Sequence, residues 1–167
     1  MSRFESRNVS EADVPASPAE IWAVLSDPDL LARFTPLIKA ISTDGDLWCW
    51  QLSGISALGV SVAPSFSERM HLVDEERIDF RHDPPAGASE RAGADGTYTL
   101  TDLGDGVTRL FIDITIWVDL PLPRLSRRAV ERVMDESMER TGDRFAANLY
   151  RHLDIDPGDV VERTPAA

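Results

Sequence analysis

The stretch LPRLSRRAVERVMDESMERTGDRFAANLYRHL, residues 122–153, repeats apolar side chains with the spacing of one face of an α-helix. The apolar positions are Leu122, Leu125, Ala129, Val130, Val133, Met134, Met138, Phe145, Leu149 and Leu153. At 1.5 Å per residue such a helix would be about 45 Å long, more than a compact domain of this size needs unless something wraps around it. The pattern therefore predicts a terminal helix whose apolar face is covered by the rest of the chain.

Two short helices are predicted near the other end, because two proline-containing capping patterns follow one another. In residues 17–20 (SPAE), a serine N-cap precedes a proline at the first helical position and the glutamate of a capping box. Asp27-Pro28 repeats the cap and the proline, and Pro36 ends the second helix. We expect one helix to begin at position 18 and the next at position 28.

Outside the three predicted helices, apolar residues tend to recur at every second position, which is typical of half-buried strands. A first strand is expected over residues 4–14, and further strands over 38–43, 47–52, 58–72, 78–80, 98–100 and 107–118. The Asp44-Gly45 pair predicts a tight hairpin between two of them. Residues 83–95 (DPPAGASERAGAD) lack periodicity and predict a loop, and the acidic residues 154–167 predict a disordered tail. The chain then forms a single domain over residues 1–153.

Composition narrows the class of protein. A net charge of −12 repels nucleic-acid phosphates, so no nucleic acid is expected as a partner. No apolar run is long enough to cross a membrane and the first 14 residues do not resemble a secretory signal, so we expect a cytoplasmic protein with no stable membrane insertion. The single cysteine, Cys49, has no partner for a disulfide, and no metal or cofactor motif is present, so none is predicted.

Two segments carry a resemblance to a known family. The stretch 14–28 (VPASPAEIWAVLSDP) and the hairpin from Gly96-Thr97-Tyr98 to residues 106–110 (GVTRL) resemble the START/polyketide-cyclase superfamily, also called SRPBCC. The resemblance covers roughly residues 4–153. It implies an α+β helix-grip fold, with a seven-stranded curved antiparallel sheet around a long C-terminal helix and two short helices between strands 1 and 2. These motifs are structural, so the resemblance implies no particular activity.

A bent sheet around one helix can leave unfilled volume, which is the usual setting of a ligand site. Its expected lining consists of the even-numbered strand residues Trp50, Phe66, Met70, Phe80, Tyr98, Leu100, Ile112 and Ile114. They would face Met134, Met138, Thr141 and Phe145 of the terminal helix. The alternative is that these side chains fill a solid core. Both interpretations remain open at this point, although methionines and aromatics suit an adaptable apolar pocket.

Three polar residues are candidates for proton transfer, namely Glu68, His82 and Tyr98. If the turn at Asp74 pairs Val73 with Arg77, Glu68 lies opposite His82, and a carboxylate beside an imidazole could relay a proton. The competing interpretation is a salt bridge at the rim of the sheet. No established catalytic triad order or metal-ligand spacing supports a specific enzyme class.

Four arginines crowd the start of the terminal helix: Arg124, Arg127, Arg128 and Arg132. They could contact a phosphate, a headgroup or a partner, or they could form a solvated face with Arg127–Glu131 and Arg132–Glu136 pairs at helical spacing. The sequence favours the solvated face.

Three functions follow from these observations. The leading hypothesis is a protein that binds a hydrophobic small molecule, such as a lipid, a quinone or a polyketide-like compound, between the sheet and the terminal helix. The second is a polyketide cyclase/dehydratase-like enzyme acting in the same cavity. The third is an interaction protein with a filled core. The sequence does not define the ligand or the oligomeric state.

Overall fold

A computed structural model describes residues 1–166, except for the side chain of Ile55, and contains three α-helices and ten strands within that range. The helices are α1 (Pro18–Leu25), α2 (Pro28–Phe34) and α3 (Arg127–His152). The strands are β1 (Ser2–Val14), β2 (Ile38–Asp44), β3 (Leu47–Leu52), β4 (Ile55–Ala57), β5 (Val60–Val62), β6 (Ser65–Val73), β7 (Arg77–His82), β8 (Ala92–Gly104), β9 (Val107–Leu120) and β10 (Val161–Arg163).

Eight strands form one antiparallel sheet in the order β10-β1-β9-β8-β7-β6-β3-β2, and β4 pairs only with β5 in a separate hairpin. The long β1 and β9 pair along their whole length, from Ser2 opposite Leu120 to Val14 opposite Thr108. Trp48, Trp50 and Leu52 share a buried face of β3, as their alternation predicts. The sheet therefore presents one apolar face that must be covered.

The capping patterns position α1 and α2 as expected. Ser17 and Glu20 form a complete capping box, in which the Ser17 backbone N–H donates to Glu20 Oε2 at 2.8 Å. The Asp27 carboxylate accepts from the backbone N–H groups of Asp29 and Leu30 at 2.9 and 3.1 Å. Because these contacts satisfy N–H groups that the first helical turn leaves free, both helix starts are set by local sequence.

The terminal helix packs against the apolar face of the sheet. Val130, Met134 and Leu149 on α3 are buried, and the Asn148 side-chain amide donates to the backbone carbonyl of Phe34 at 3.0 Å. Ser6 on β1 hydrogen-bonds to Asp135. The architecture is the α+β helix-grip fold that the resemblance implied, with a long C-terminal helix and two short early helices.

The terminal helix is shorter than the apolar pattern predicted. The α-helix begins at Arg127, and one 3₁₀ turn over Arg124–Ser126 precedes it. Leu125 is 98% exposed in that turn instead of lying on the buried face. Ser126 makes no side-chain capping hydrogen bond, and Pro121 and Pro123 lack the backbone N–H that a continuous helix would use. Apolar spacing alone therefore overestimated the helix at its start.

The predicted disordered tail is wrong for residues 154–166, and the sheet has eight strands instead of seven. A 3₁₀ turn (Pro157–Asp159) leads into β10, which pairs antiparallel with residues 11–13 of β1. The Arg163 guanidinium donates to the Asp13 carboxylate at 2.6 Å, and Arg109 donates to the same group at 2.8 Å. These two arginines hold the pKa of Asp13 well below its usual range. A three-residue strand is too short to show periodicity, so its pairing was not predictable locally; Ala167 lies outside the described residues.

Two other strand boundaries differ from the predicted ones. The expected strand over residues 58–72 is interrupted: β5 belongs to a small hairpin whose turn contains Leu58 and Gly59 at positive φ, and β6 begins only after Pro64. The expected loop over residues 83–95 is shorter, because β8 already begins at Ala92. Its first residues include Gly93 and Gly96, which have no side chain to mark alternation.

Candidate functional site

A cavity of about 430 Å³ lies between the sheet and α3. Its walls come from β1, β3, β6, β7, β8 and β9 on one side and from α3 on the other, with residues of α2 and β2 at its border. Most of the lining side chains are apolar. This volume is within the range of small-molecule sites.

All but two of the side chains predicted to line a pocket do line this cavity. They are Trp50, Phe66, Phe80, Tyr98, Ile112, Ile114, Met134, Met138, Thr141 and Phe145. Met70 and Leu100 are buried but lie outside the lining. Met70 lies opposite Phe80 on the neighbouring strand, and the Leu100 backbone N–H donates to the carbonyl of Glu76. That the lining residues bind a ligand remains a prediction.

Sequence reasoning missed part of the lining. Residues 8–12 of β1 and Tyr150 of α3 face the cavity, together with Glu162 and Arg163 of β10. Burial and the charge of Glu162 raise the pKa of Tyr150. The alternation that identified Ile112 and Ile114 could also have identified Leu110 and Ile116, whereas nothing in the tail sequence pointed to the cavity.

Glu68 is the most unusual residue of the cavity. Its side chain is fully enclosed, with only 2% of the residue exposed, and its Oε2 atom has no hydrogen-bond partner. Burial raises the pKa of Glu68 well above its usual value, the negative charge of Asp95 adds to this, and the indole N–H of Trp50 partly opposes it. The environment therefore favours the protonated, uncharged carboxyl group.

Two further polar groups share the cavity with Glu68. The indole Nε1–H of Trp50 lies close enough to Glu68 to affect its pKa, but the two groups do not meet the geometry of a hydrogen bond, and Nε1 is buried with no other acceptor. Burial and the charge of Glu68 raise the pKa of the Tyr98 hydroxyl, so this group also remains protonated, and its ring packs on Phe80 with centroids 5.2 Å apart. Glu68, Trp50 and Tyr98 can thus each donate a hydrogen bond into mostly apolar surroundings.

His82 does not join this group, and the predicted contact with Glu68 is wrong. The backbone register is as expected, with Glu68 opposite His82 and Val73 opposite Arg77. However, His82 Nε2 lies 2.8 Å from Glu90 Oε2, its ring packs edge-on against Trp117, and it is not part of the cavity lining. The loop after β7 returns to the sheet and brings its own carboxylate to the imidazole.

Glu90 also fixes that loop to the sheet. Its two carboxylate oxygens accept from the Ser67 backbone N–H at 2.9 Å and from the Ser67 hydroxyl at 2.8 Å, in addition to the contact with His82. These groups hold the loop and are not themselves lining residues of the cavity. Of the three proposed proton-transfer residues, the structure brings together only Glu68 and Tyr98.

The arginine cluster lies at the start of α3, outside the cavity lining. Arg127 pairs with Glu131 at 2.7 Å and Arg132 with Glu136 at 3.3 Å, the i,i+4 pairs that the sequence favoured. Arg127 also donates to the backbone carbonyl of Arg3. Exposed pairs of this kind contribute little to stability, so their main effect is to keep this end of the helix polar.

Within residues 1–166, no three His, Cys, Asp or Glu side chains are arranged to hold a metal ion. In the same part of the chain, none of the helices combines the length and the hydropathy that crossing a membrane requires.

Solved structures of similar fold come from several bacteria. A START superfamily protein from Mycobacterium smegmatis is 16% identical with a TM-score of 0.62, covering 89% of this chain and 97% of its own. The aromatase/cyclase Zhui from Streptomyces sp. R1128 is 14% identical with a TM-score of 0.61, covering 92% and 94%. A conserved protein from Geobacillus kaustophilus is 13% identical with a TM-score of 0.60, covering 94% and 100%. At these identities the likeness concerns the fold alone.

A comparison with curated protein sequences finds no match. The family model described as polyketide cyclase/dehydrase and lipid transport, in contrast, matches residues 7–152, from β1 to the last residue of α3. Residues 7–152 include the lining residues of every strand and helix that lines the cavity, except those of β10. The chain therefore belongs to the polyketide cyclase/dehydrase and lipid transport family.

Proposed function

We propose that this protein binds a hydrophobic small molecule, such as a lipid, a quinone or a polyketide-like compound, in the cavity between the sheet and α3. The single observation that carries the proposal is the cavity of about 430 Å³ with its mostly apolar lining. Burying about 300 Å² of apolar ligand surface would contribute about 7 kcal/mol, before the costs of association. Micromolar affinity corresponds to about 8 kcal/mol, so a larger buried area or additional polar contacts would have to supply the difference.

The family supports this proposal at a coarser level. Its description names both polyketide cyclases/dehydrases and lipid transport, and both activities require a cavity that accepts a largely apolar molecule. The titles of two similar structures refer to the START superfamily and to an aromatase/cyclase. These names leave open whether the bound molecule is carried or converted.

Mass spectrometry with a blocked cavity tests binding. Thr141 lines the cavity from α3, so Thr141→Trp should fill part of it, whereas Ala147→Trp adds the same side chain at an exposed α3 position outside the lining. We expect native mass spectra of the purified wild-type protein and of the Ala147→Trp variant to contain an apolar small molecule, and Thr141→Trp to have lost it. Equal retention in all three proteins would place the molecule elsewhere.

The second candidate function is catalysis in the same cavity by a polyketide cyclase/dehydratase-like reaction. The observation that favours it is the presence of Glu68 and Tyr98, both with raised pKa values, in one apolar space. A protonated carboxyl group could donate its proton to a carbonyl or to a departing hydroxyl, and such perturbed groups are common at active sites. His82 has no part in this proposal, since it pairs with Glu90.

Conservative variants separate the two functions. Glu68→Gln and Tyr98→Phe remove the acidic protons while nearly preserving shape, so a carrier should keep its affinity in both variants. An enzyme should lose turnover of a poly-β-ketone thioester, followed as the absorbance of the aromatic product, while still binding the substrate. Unchanged product formation by both variants would exclude Glu68 and Tyr98 as its acids.

A further inference from the structure

Three buried side-chain atoms lack a hydrogen-bond partner in the part of the chain that the structure describes: Trp50 Nε1, Glu68 Oε2 and Thr97 Oγ1. Buried polar groups in folded proteins are nearly always paired, so each unpaired atom calls for an explanation. The first two belong to residues of the cavity lining, and Thr97 does not. The cavity therefore contains two polar groups that the protein itself leaves unsatisfied.

These two groups are neighbours on adjacent strands. Trp50 of β3 lies opposite Phe66 of β6, and Trp48 lies opposite Glu68, so Trp50 and Glu68 are diagonal neighbours across the pair. Diagonal positions are within reach of aromatic and long side chains. The effect of the Trp50 indole on the Glu68 carboxyl is consistent with the two side chains lying together.

We infer that the indole N–H of Trp50 and the carboxyl group of Glu68 together bind one uncharged oxygen atom of the ligand, such as a ketone or quinone carbonyl. This inference rests on the proposed function, because it specifies which apolar molecules the same cavity selects. It assigns Trp50 and Glu68 as specificity-determining residues at a defined point of the wall.

The chemistry of both groups fits an acceptor oxygen. An indole N–H can only donate, and an uncharged carboxyl group donates through its O–H. Burial and the charge of Asp95 favour that uncharged form of Glu68. A carbonyl oxygen has two lone pairs, so one atom can satisfy both donors, and an apolar ligand without an acceptor would leave them unpaired.

The rest of the lining disfavours a charged ligand group at this point. The lining contains one arginine, Arg163, and no lysine. Arg163 is the last residue of β10, where it pairs with Asp13. A ligand carboxylate beside Glu68 would therefore lack a cationic partner and would face the negative charge of Asp95. The same site should reject a fatty-acid-like headgroup that a lipid carrier of another type would accept.

Three probes of one ring system test the inference: fluorene, 9-fluorenone, which adds a carbonyl, and 9-fluorenecarboxylate, which adds an anion. Equilibrium dialysis at pH 7 gives the dissociation constant of each probe for the wild-type protein and for Glu68→Leu, Glu68→Gln and Trp50→Phe. Glu136→Leu removes a carboxylate from an exposed α3 position and serves as the matched control.

We expect the preference for fluorenone over fluorene to fall about tenfold in Glu68→Leu and by a smaller factor in Trp50→Phe, as loss of one buried hydrogen bond implies. Glu68→Gln, which keeps a donor, should retain most of the preference, and Glu136→Leu all of it. The infrared carbonyl stretch of fluorenone should shift to lower wavenumber in the wild-type protein, and Glu68→Leu should reduce this shift.

The possible outcomes distinguish a failure of this inference from a failure of the proposed function on which it rests. If the ratio of the dissociation constants of fluorene and fluorenone is the same in all proteins, the binding of apolar molecules is supported. The hydrogen-bonding site formed by Trp50 and Glu68 is then refuted. If the wild-type protein binds neither probe, the proposed function fails and the inference fails with it. Tighter binding of 9-fluorenecarboxylate than of fluorenone would also contradict the inference, since it would require a cationic group at this point.

Discussion

Replacing Glu68 by glutamine should stabilise the protein relative to the wild type, and this difference in unfolding free energy should grow as the pH rises. The folded protein raises the pKa of this buried carboxyl above the ordinary value of 4.5, chiefly through burial. Folding therefore retains a proton that the unfolded chain releases once the pH exceeds about 4.5. The contribution of Glu68 to stability is complete below that pH and is lost as the pH rises towards the folded pKa. Glutamine is uncharged at every pH and carries no such loss.

The size of the effect follows from the linkage of one proton. Within the window between the two pKa values, the free energy of unfolding of the wild-type protein should fall relative to Glu68→Gln by at most about 1.4 kcal/mol per pH unit. For a domain of this size, 1 kcal/mol corresponds to about 2–4 °C in Tm, so the two proteins should separate by about 3–6 °C per pH unit. Other titrating groups, Asp13 among them, are common to both proteins and cancel in the difference.

Thermal unfolding followed by circular dichroism at pH 4, 5, 6, 7 and 8 measures this difference. We expect nearly equal Tm values for the wild type and Glu68→Gln at pH 4 and a growing advantage of the variant above pH 5. Glu136→Gln, at an exposed position on α3, should follow the wild-type curve throughout. Parallel curves for the wild type and Glu68→Gln from pH 4 to 8 would refute the assignment of Glu68 as a buried, uncharged acid.

Three further changes test how the cavity is built. Leu149→Ala removes a side chain of α3 that is 1% exposed, and should cost about 2–5 kcal/mol of unfolding free energy in urea titrations; a cost below 1 kcal/mol would mean that α3 is not anchored there. In Gly96→Ala the new methyl group would meet the Asp113 carbonyl oxygen and the Phe80 ring, so we expect a loss of about 1–3 kcal/mol in the same assay, and wild-type stability would contradict this packing. Deleting residues 157–167 removes β10 from beside the cavity and should accelerate dissociation of a bound apolar probe in stopped-flow fluorescence; an unchanged rate would show that β10 does not restrict access.

Local patterns in the sequence were sufficient for much of the fold. The capping box at residues 17–20 and the N-cap Asp27 set the starts of α1 and α2, because the groups that form these caps are within three residues of each other. The alternation over Leu110–Val118 similarly defined the central part of β9, one of whose faces lines the cavity. These features depend only on spacing along the chain, which is visible without a structure.

The features that sequence reasoning missed depend on distant parts of the chain. His82 pairs with Glu90. Glu90 lies in the loop between β7 and β8, and the sequence does not predict the path of that loop. The strand β10 is held by Asp13, 150 positions before Arg163. The uncharged state of Glu68 arises from its enclosure among several elements and from Asp95, so the residue could be suggested as a candidate but its environment could not be derived.

The most direct test of the cavity uses the four methionines of the chain. Met134 and Met138 line the cavity, whereas Met70 is buried outside it and Met1 is 74% exposed. With ¹³C-methyl methionine labelling and assignment by single Met→Leu variants, titration with fluorenone should shift the Met134 and Met138 methyl signals and leave those of Met1 and Met70 nearly unchanged. Shifts confined to Met1 or Met70, or no shift at saturating fluorenone, would contradict ligand binding between the sheet and α3.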